Sequence, residues 1–158
     1  PRGRVHIREK ALAATQKNVK RGSSMATHHD SLIAIMVLVS AADNDIADQE
    51  LKKMADVVRS WPVFGTFDID TLPDTARRVA GALEAEDGLE LLFGDMQSAL
   101  SAQMCETGYA LACEMAAADG VLTDEEMQVL ELVRHRLNLD RLIAAGIERG
   151  ARARYAVA

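Results

Sequence analysis

An all-α fold follows from three features of the sequence. Ala, Leu and Met dominate its apolar content, apolar positions recur at helical spacing between turn signals, and only 4% of residues are aromatic. Runs of β-branched residues long enough for strands are few, so no sheet is expected. With 158 residues, 49% of them hydrophobic, the chain fits one domain with a packed core. The expected architecture is a compact bundle of about seven helices.

Residues 1–24 hold seven Lys or Arg against the single acid Glu9, and end in Gly22-Ser23-Ser24 before Met25. They read as a basic extension, disordered or added ahead of a natural start, with a basic arm for an anionic surface as the alternative. The helical domain is expected over residues 25–158. Its first helix starts at Asp30 and carries Leu32, Ile33, Ile35, Met36, Val39 and Ala42, until Asp43-Asn44-Asp45 breaks it. The second runs from Asp48 to Ser60 on the stripe Leu51, Met54, Ala55 and Val58. Trp61-Pro62 ends it, because proline drives the preceding residue out of helical geometry. After a linker to Thr71, Pro73 suits the first turn of a third helix reaching Glu86. Asp87-Gly88 separates it from a fourth helix, Leu89 to Leu100. The fifth is expected over Ala102 to Ala118, the sixth over Asp124 to Leu137, and the seventh over Arg141 to Arg154. Asn138-Leu139-Asp140 makes the last turn.

The net charge is -6, but outside residues 1–24 the chain has 11 basic and 23 acidic residues, which is -12. Such a surface repels phosphates and attracts cations or basic partners, so nucleic acid is not an expected partner. Cys105 and Cys113 lie eight apart without companions at zinc-ligand spacing, and read as small core residues in a reducing, cytoplasmic compartment. The longest apolar run, Leu32 to Ala42, is about half of a membrane span, and the basic start lacks the apolar core of a secretory signal.

The most informative pattern is an internal repeat. Shifting the chain by 76 positions lays Ala42-Asp43-Asn44-Asp45-Ile46-Ala47-Asp48-Gln49-Glu50-Leu51 on Ala118-Asp119-Gly120-Val121-Leu122-Thr123-Asp124-Glu125-Glu126-Met127. Each unit ends a helix at an Asp, turns around one aliphatic residue and begins the next helix with acids. Crowded carboxylates repel one another unless a cation, a basic side chain or a helix N-terminus compensates. A hard divalent ion held by oxygens is one such compensation. The candidate ligands are Asp43, Asp45, Asp48 and Glu50 in the first turn, and Asp119, Asp124, Glu125 and Glu126 in the second. Neither turn is a regular EF-hand: the first has Asp48 where that loop needs Gly and Met54 where it needs Glu. The competing reading is helix capping. Thr123 with Glu126 forms a capping box, whereas Ala47 deprives Glu50 of a reciprocal partner and leaves the first turn as the better ion site.

Glu106 and Glu114 lie on the fifth helix, and Glu114 is expected to face solvent. Turned inward it would need a partner such as Arg134 or a metal. His28, His29 and His135 are expected at the surface, and the Arg-rich end of the last helix complements its dipole. No phosphate loop, nucleophile elbow or HExxH pattern is present in the sequence, so an enzymatic reading has no anchor.

The segments Met36-Val37-Leu38-Val39-Ser40-Ala41-Ala42-Asp43 and Ala116-Ala117-Ala118-Asp119-Gly120-Val121-Leu122-Thr123-Asp124-Glu125-Glu126, with the tail Arg134 to Arg154, resemble the bacterial TerB tellurite-resistance family. The resemblance covers Asp30 to Arg154. It implies an all-α TerB-like fold of repeat-related helix pairs and a role in tellurite and chemical-stress responses. It also implies that Asp43, Glu50, Asp119 and Glu126 bind metal or ligand, and that the domain works beside membrane proteins of the same system. The first turn departs from the pattern by having Asn44-Asp45 where the second has Gly120-Val121. Together these observations predict a non-enzymatic stress-response module that holds Ca²⁺, Mg²⁺ or Mn²⁺ at its acidic turns and docks a partner protein. A purely structural interaction domain whose acids cap helices is the alternative, and a metal-dependent hydrolase is a third reading.

Overall fold

The computed structural model describes residues 27–40, 46–118, 120 and 122–158. Among them are seven α-helices and no strand: α1 (His28–Ser40), α2 (Asp48–Ser60), α3 (Leu72–Leu83), α4 (Gly88–Ala99), α5 (Ala102–Ala117), α6 (Asp124–Arg136) and α7 (Arg141–Arg154). The all-α expectation holds. The basic segment 1–24 lies outside the described residues.

Local chemistry sets the boundaries. α1 starts two residues before the expected Asp30, because Thr27 acts as its cap. The Thr27 Oγ1 accepts from the Asp30 N–H at 3.1 Å, and the Asp30 carboxylate accepts from the Thr27 N–H at 3.3 Å. Trp61 terminates α2 in extended geometry ahead of Pro62. The linker that follows is not structureless: it folds into two 3₁₀ turns, Pro62–Phe64 and Ile69–Thr71, the second running directly into α3. α3 stops at Leu83, short of the expected Glu86, and Gly88 opens α4 so close to it that a Cβ would lie 2.0 Å from the Ala82 carbonyl oxygen. Ser101 caps α5 through the Met104 N–H at 3.2 Å. Between α6 and α7, Asn138 takes the left-handed conformation (φ 54°). The Leu139 N–H reaches back to the Arg134 carbonyl at 3.1 Å, and the Asn138 N–H to the His135 carbonyl at 3.1 Å. This is a Schellman ending that tucks Leu139 into the core. Asp140 then caps α7, accepting from the N–H groups of Leu142 (2.8 Å) and Ile143 (3.3 Å).

α1 is apolar around its whole circumference, with Leu32, Ile33, Ala34, Ile35, Met36 and Val37 all buried, so it can only be a central helix. It packs against α3, α4, α5 and α6, and its most extensive contact is with α5. Gly108 permits that approach, since a Cβ there would stand 2.6 Å from Ile35 Cδ1. α5 in turn carries α6 and α7 on its other faces. The two helices that precede the acidic turns therefore form the centre of the bundle. The helices that follow the turns are α2 and α6, and the 76-residue shift carries Asp48–Ser60 onto Asp124–Arg136, the bounds of α6. Among the described residues, no helix is long and apolar enough to cross a membrane.

Candidate functional site

Asp43, Asp45 and Asp119 lie outside the described residues, so the structure is informative about the flanks of the two acidic turns. Asp48 is exposed at the start of α2, and Glu50 is half-buried one residue beyond Gln49. The Glu50 carboxylate accepts the Ala47 N–H through Oε2 at 3.1 Å. Half of the capping box thus forms even though Ala47 has no side chain with which to return it, and Glu50 has a structural role that the sequence did not assign to it. In the second unit the box is complete. Glu126 Oε2 accepts from the Thr123 N–H (2.8 Å) and hydroxyl (3.1 Å), while Thr123 Oγ1 accepts from the Glu126 N–H (3.2 Å). Asp124 and Glu125 are exposed on the same turn. Among the described residues, no three His, Cys, Asp or Glu side chains gather into a metal-holding group. Gly120 sits in the left-handed region (φ 74°), which fixes the shape of the second turn; its partner by the 76-residue shift is Asn44, of the residue type that tolerates this region best after glycine.

The carboxyl-terminal half of α5 approaches the same region. Lys53 on α2 donates to the Met115 carbonyl at 3.5 Å, joining the helix that leaves the first turn to the helix that enters the second. One residue earlier, Glu114 departs from expectation: it is 6% exposed and faces inward. Its partners are neither solvent nor Arg134, which is engaged by Glu131 on its own helix. Instead the Tyr155 hydroxyl donates to Glu114 Oε1 at 2.6 Å, with Arg154 Nε 3.4 Å from the same oxygen. A second bond of the same kind runs the other way, from the Tyr109 hydroxyl on α5 to Glu148 Oε1 on α7 at 2.6 Å. α5 therefore exchanges a Tyr–Glu pair in each direction with α7 and the Tyr155 that caps its end. Burial, then the bonded carboxylate, pushes both phenols above their ordinary pKa.

Between the Tyr109–Glu148 bond and α6 lies a half-open cavity of about 210 Å³. Tyr109 and Cys113 form its floor, Leu122 and Met127 stand at its mouth, and Glu148 and Arg152 contribute its α7 rim. Cys113 is a core residue, as expected, with its thiol pushed up to about 12, first by burial and then by the charge of Glu148. A thiol so held is a poor nucleophile. Cys105 is half-buried at the edge of the core.

The histidines divide. His135 is exposed, but His28 and His29 are half-buried. His29 Nε2 lies 2.9 Å from the Val63 carbonyl, and its ring packs on Phe64 and Phe67 at 5.7 and 5.5 Å. The surface expectation fails here because the linker coils back over the start of α1. Burial and the neighbouring His29 hold His28 below its ordinary pKa.

This arrangement, a buried helix and its repeat-related partner each leading into an acidic turn, is the framework on which a family match can be read. The model of the tellurite resistance protein TerB family matches residues 29–146. The chain belongs to the TerB family. The match spans both units of the TerB domain and ends inside α7, before Glu148, Arg152 and Tyr155. No curated protein and no solved structure matches the chain significantly.

Proposed function

We propose that this TerB domain is a cytoplasmic stress-response module whose acidic turns hold a divalent cation, Ca²⁺, Mg²⁺ or Mn²⁺, and which docks a partner protein, a membrane protein of a tellurite-resistance system. The observation that carries this reading is the doubled unit: two buried helices, α1 and α5, each lead into an acid-rich turn, and the helices leaving the turns keep the same register. Asp43, Asp45, Asp48 and Glu50 supply the first set of oxygens, and Asp119 and Glu126, beside Asp124 and Glu125, the second. Capping does not exhaust them, since the Oε1 atoms of Glu50 and Glu126 make no hydrogen bond among the described residues. For the partner, Leu142 (83% exposed) and Ile143 on α7 offer an apolar pair at the surface.

The capping bonds at Glu50, Thr123 and Glu126 favour a second reading, in which these acids serve the fold alone. Trace Mn²⁺ added to ¹⁵N-labelled protein separates the two. The cation reading expects broadening confined to the amides around residues 46–50 and 122–127, with Asp43→Asn plus Glu50→Gln erasing it at the first turn only. Glutamine keeps the cap, so any loss reports on the ion. Broadening spread evenly over the acidic surface would leave the capping reading in place.

A further inference from the structure

The cavity between α5, α6 and α7 borders the second acidic turn through Leu122 and Met127, but Asp124, Glu125 and Glu126 do not line it. At its floor the Tyr109 hydroxyl donates to Glu148, and the Cys113 thiol is buried. Leu122 and Met127 are partly exposed at its mouth although both are large and apolar. The rim carries Glu148 and Arg152 a helical turn apart on α7, and Glu131 on α6, whose carboxylate is held by Arg134. Glu148 uses only Oε1, and Arg152 makes no hydrogen bond or ion pair among the described residues. These opposite charges cancel, so the rim favours no ionic head group, yet together they accept and donate hydrogen bonds. The volume of about 210 Å³ exceeds the roughly 150 Å³ of an apolar cavity that takes up benzene, and falls short of the 300 Å³ or so where drug-sized pockets begin.

We propose that this cavity is a binding site for a small uncharged molecule with an apolar body of about one ring and a single hydroxyl. The apolar body enters over Tyr109 and Cys113 between Leu122 and Met127, and the hydroxyl lies between Glu148 and Arg152. A ligand of this size makes few contacts, so the expected Kd is in the millimolar range.

Methyl NMR of the full chain with p-cresol as the probe tests this, with 4-methylbenzoate and 4-methylbenzylamine as anionic and cationic counterparts of the same shape. The expected result is a saturable shift of the Leu122, Met127 and Leu130 methyls with p-cresol, and binding of both charged probes weaker by about tenfold. Ala117→Leu, which fills the cavity from α5, should abolish binding. Arg152→Gln, at an exposed position that leaves folding intact, should turn the charged-probe preference toward the amine. Shifts that fail to saturate, p-cresol binding unchanged by Ala117→Leu in a folded protein, or equal binding of all three probes would each overturn the proposal. So would an Arg152→Gln protein with no altered preference.

Discussion

Glu114 shows how one side chain can be misplaced by helical periodicity and then explained by packing. On α5 it lies in an apolar stretch, and its hydrogen-bond donor, Tyr155, is 41 positions away in sequence, so nothing local announces the pair. The first unit has Leu38 at the equivalent position. Tyr155→Phe leaves a buried carboxylate with Arg154 alone and should cost about 1–3 kcal/mol in urea unfolding. Adding Glu114→Leu to that variant should recover most of the loss, because removing both polar partners is nearly neutral where removing one is not. Equal destabilisation of the single and double variants would show that the pair is not what holds this contact. His29 departs from the surface expectation for a related reason: it meets a carbonyl 34 residues away. Glu50 caps the Ala47 N–H, a bond that needs no side-chain partner at Ala47.

At the level of elements, most helix ends were legible where a side chain encodes them, the Thr27 cap of α1 being an exception. Ser101, Thr123 and Asp140 cap the helices they were expected to precede, and Pro73 and Asn138 sit where their backbone preferences suit. The 3₁₀ turns after α2 were not legible, since short turns of that kind leave no periodic signal. Nor was the α5–α7 contact, which depends on side chains from separate helices meeting. That contact carries a pH signature. Cys113 and Tyr109 hold their protons more tightly in the folded protein than in the unfolded chain, so their contribution to stability is complete below the unfolded pKa values and is lost as pH rises beyond them. Urea midpoints should therefore fall as pH climbs from 9.0 toward about 12, and Cys113→Ala should flatten the first part of that fall. A fall of the same steepness in Cys113→Ala would remove the thiol from the explanation.

For the molecule as a whole, the repeat read from the sequence became the organisation of the fold, with α1 and α5 at the centre and a helix leaving each acidic turn in matching register. The family match over residues 29–146 accords with the resemblance carried by those turns. The cavity was not legible, because Tyr109, Leu122 and Glu148 approach one another only through the tertiary packing of α5, α6 and α7. Binding of a divalent cation at the acidic turns, as proposed above, is read out by thermal unfolding. Residues 25–158 would be melted in chelator and then in Ca²⁺, Mg²⁺ or Mn²⁺, beside Asp43→Asn with Glu50→Gln. One ion at 100 times its Kd should add about 2.7 kcal/mol, and the double variant should lose that gain. An unchanged melting temperature with all three ions would contradict that proposal.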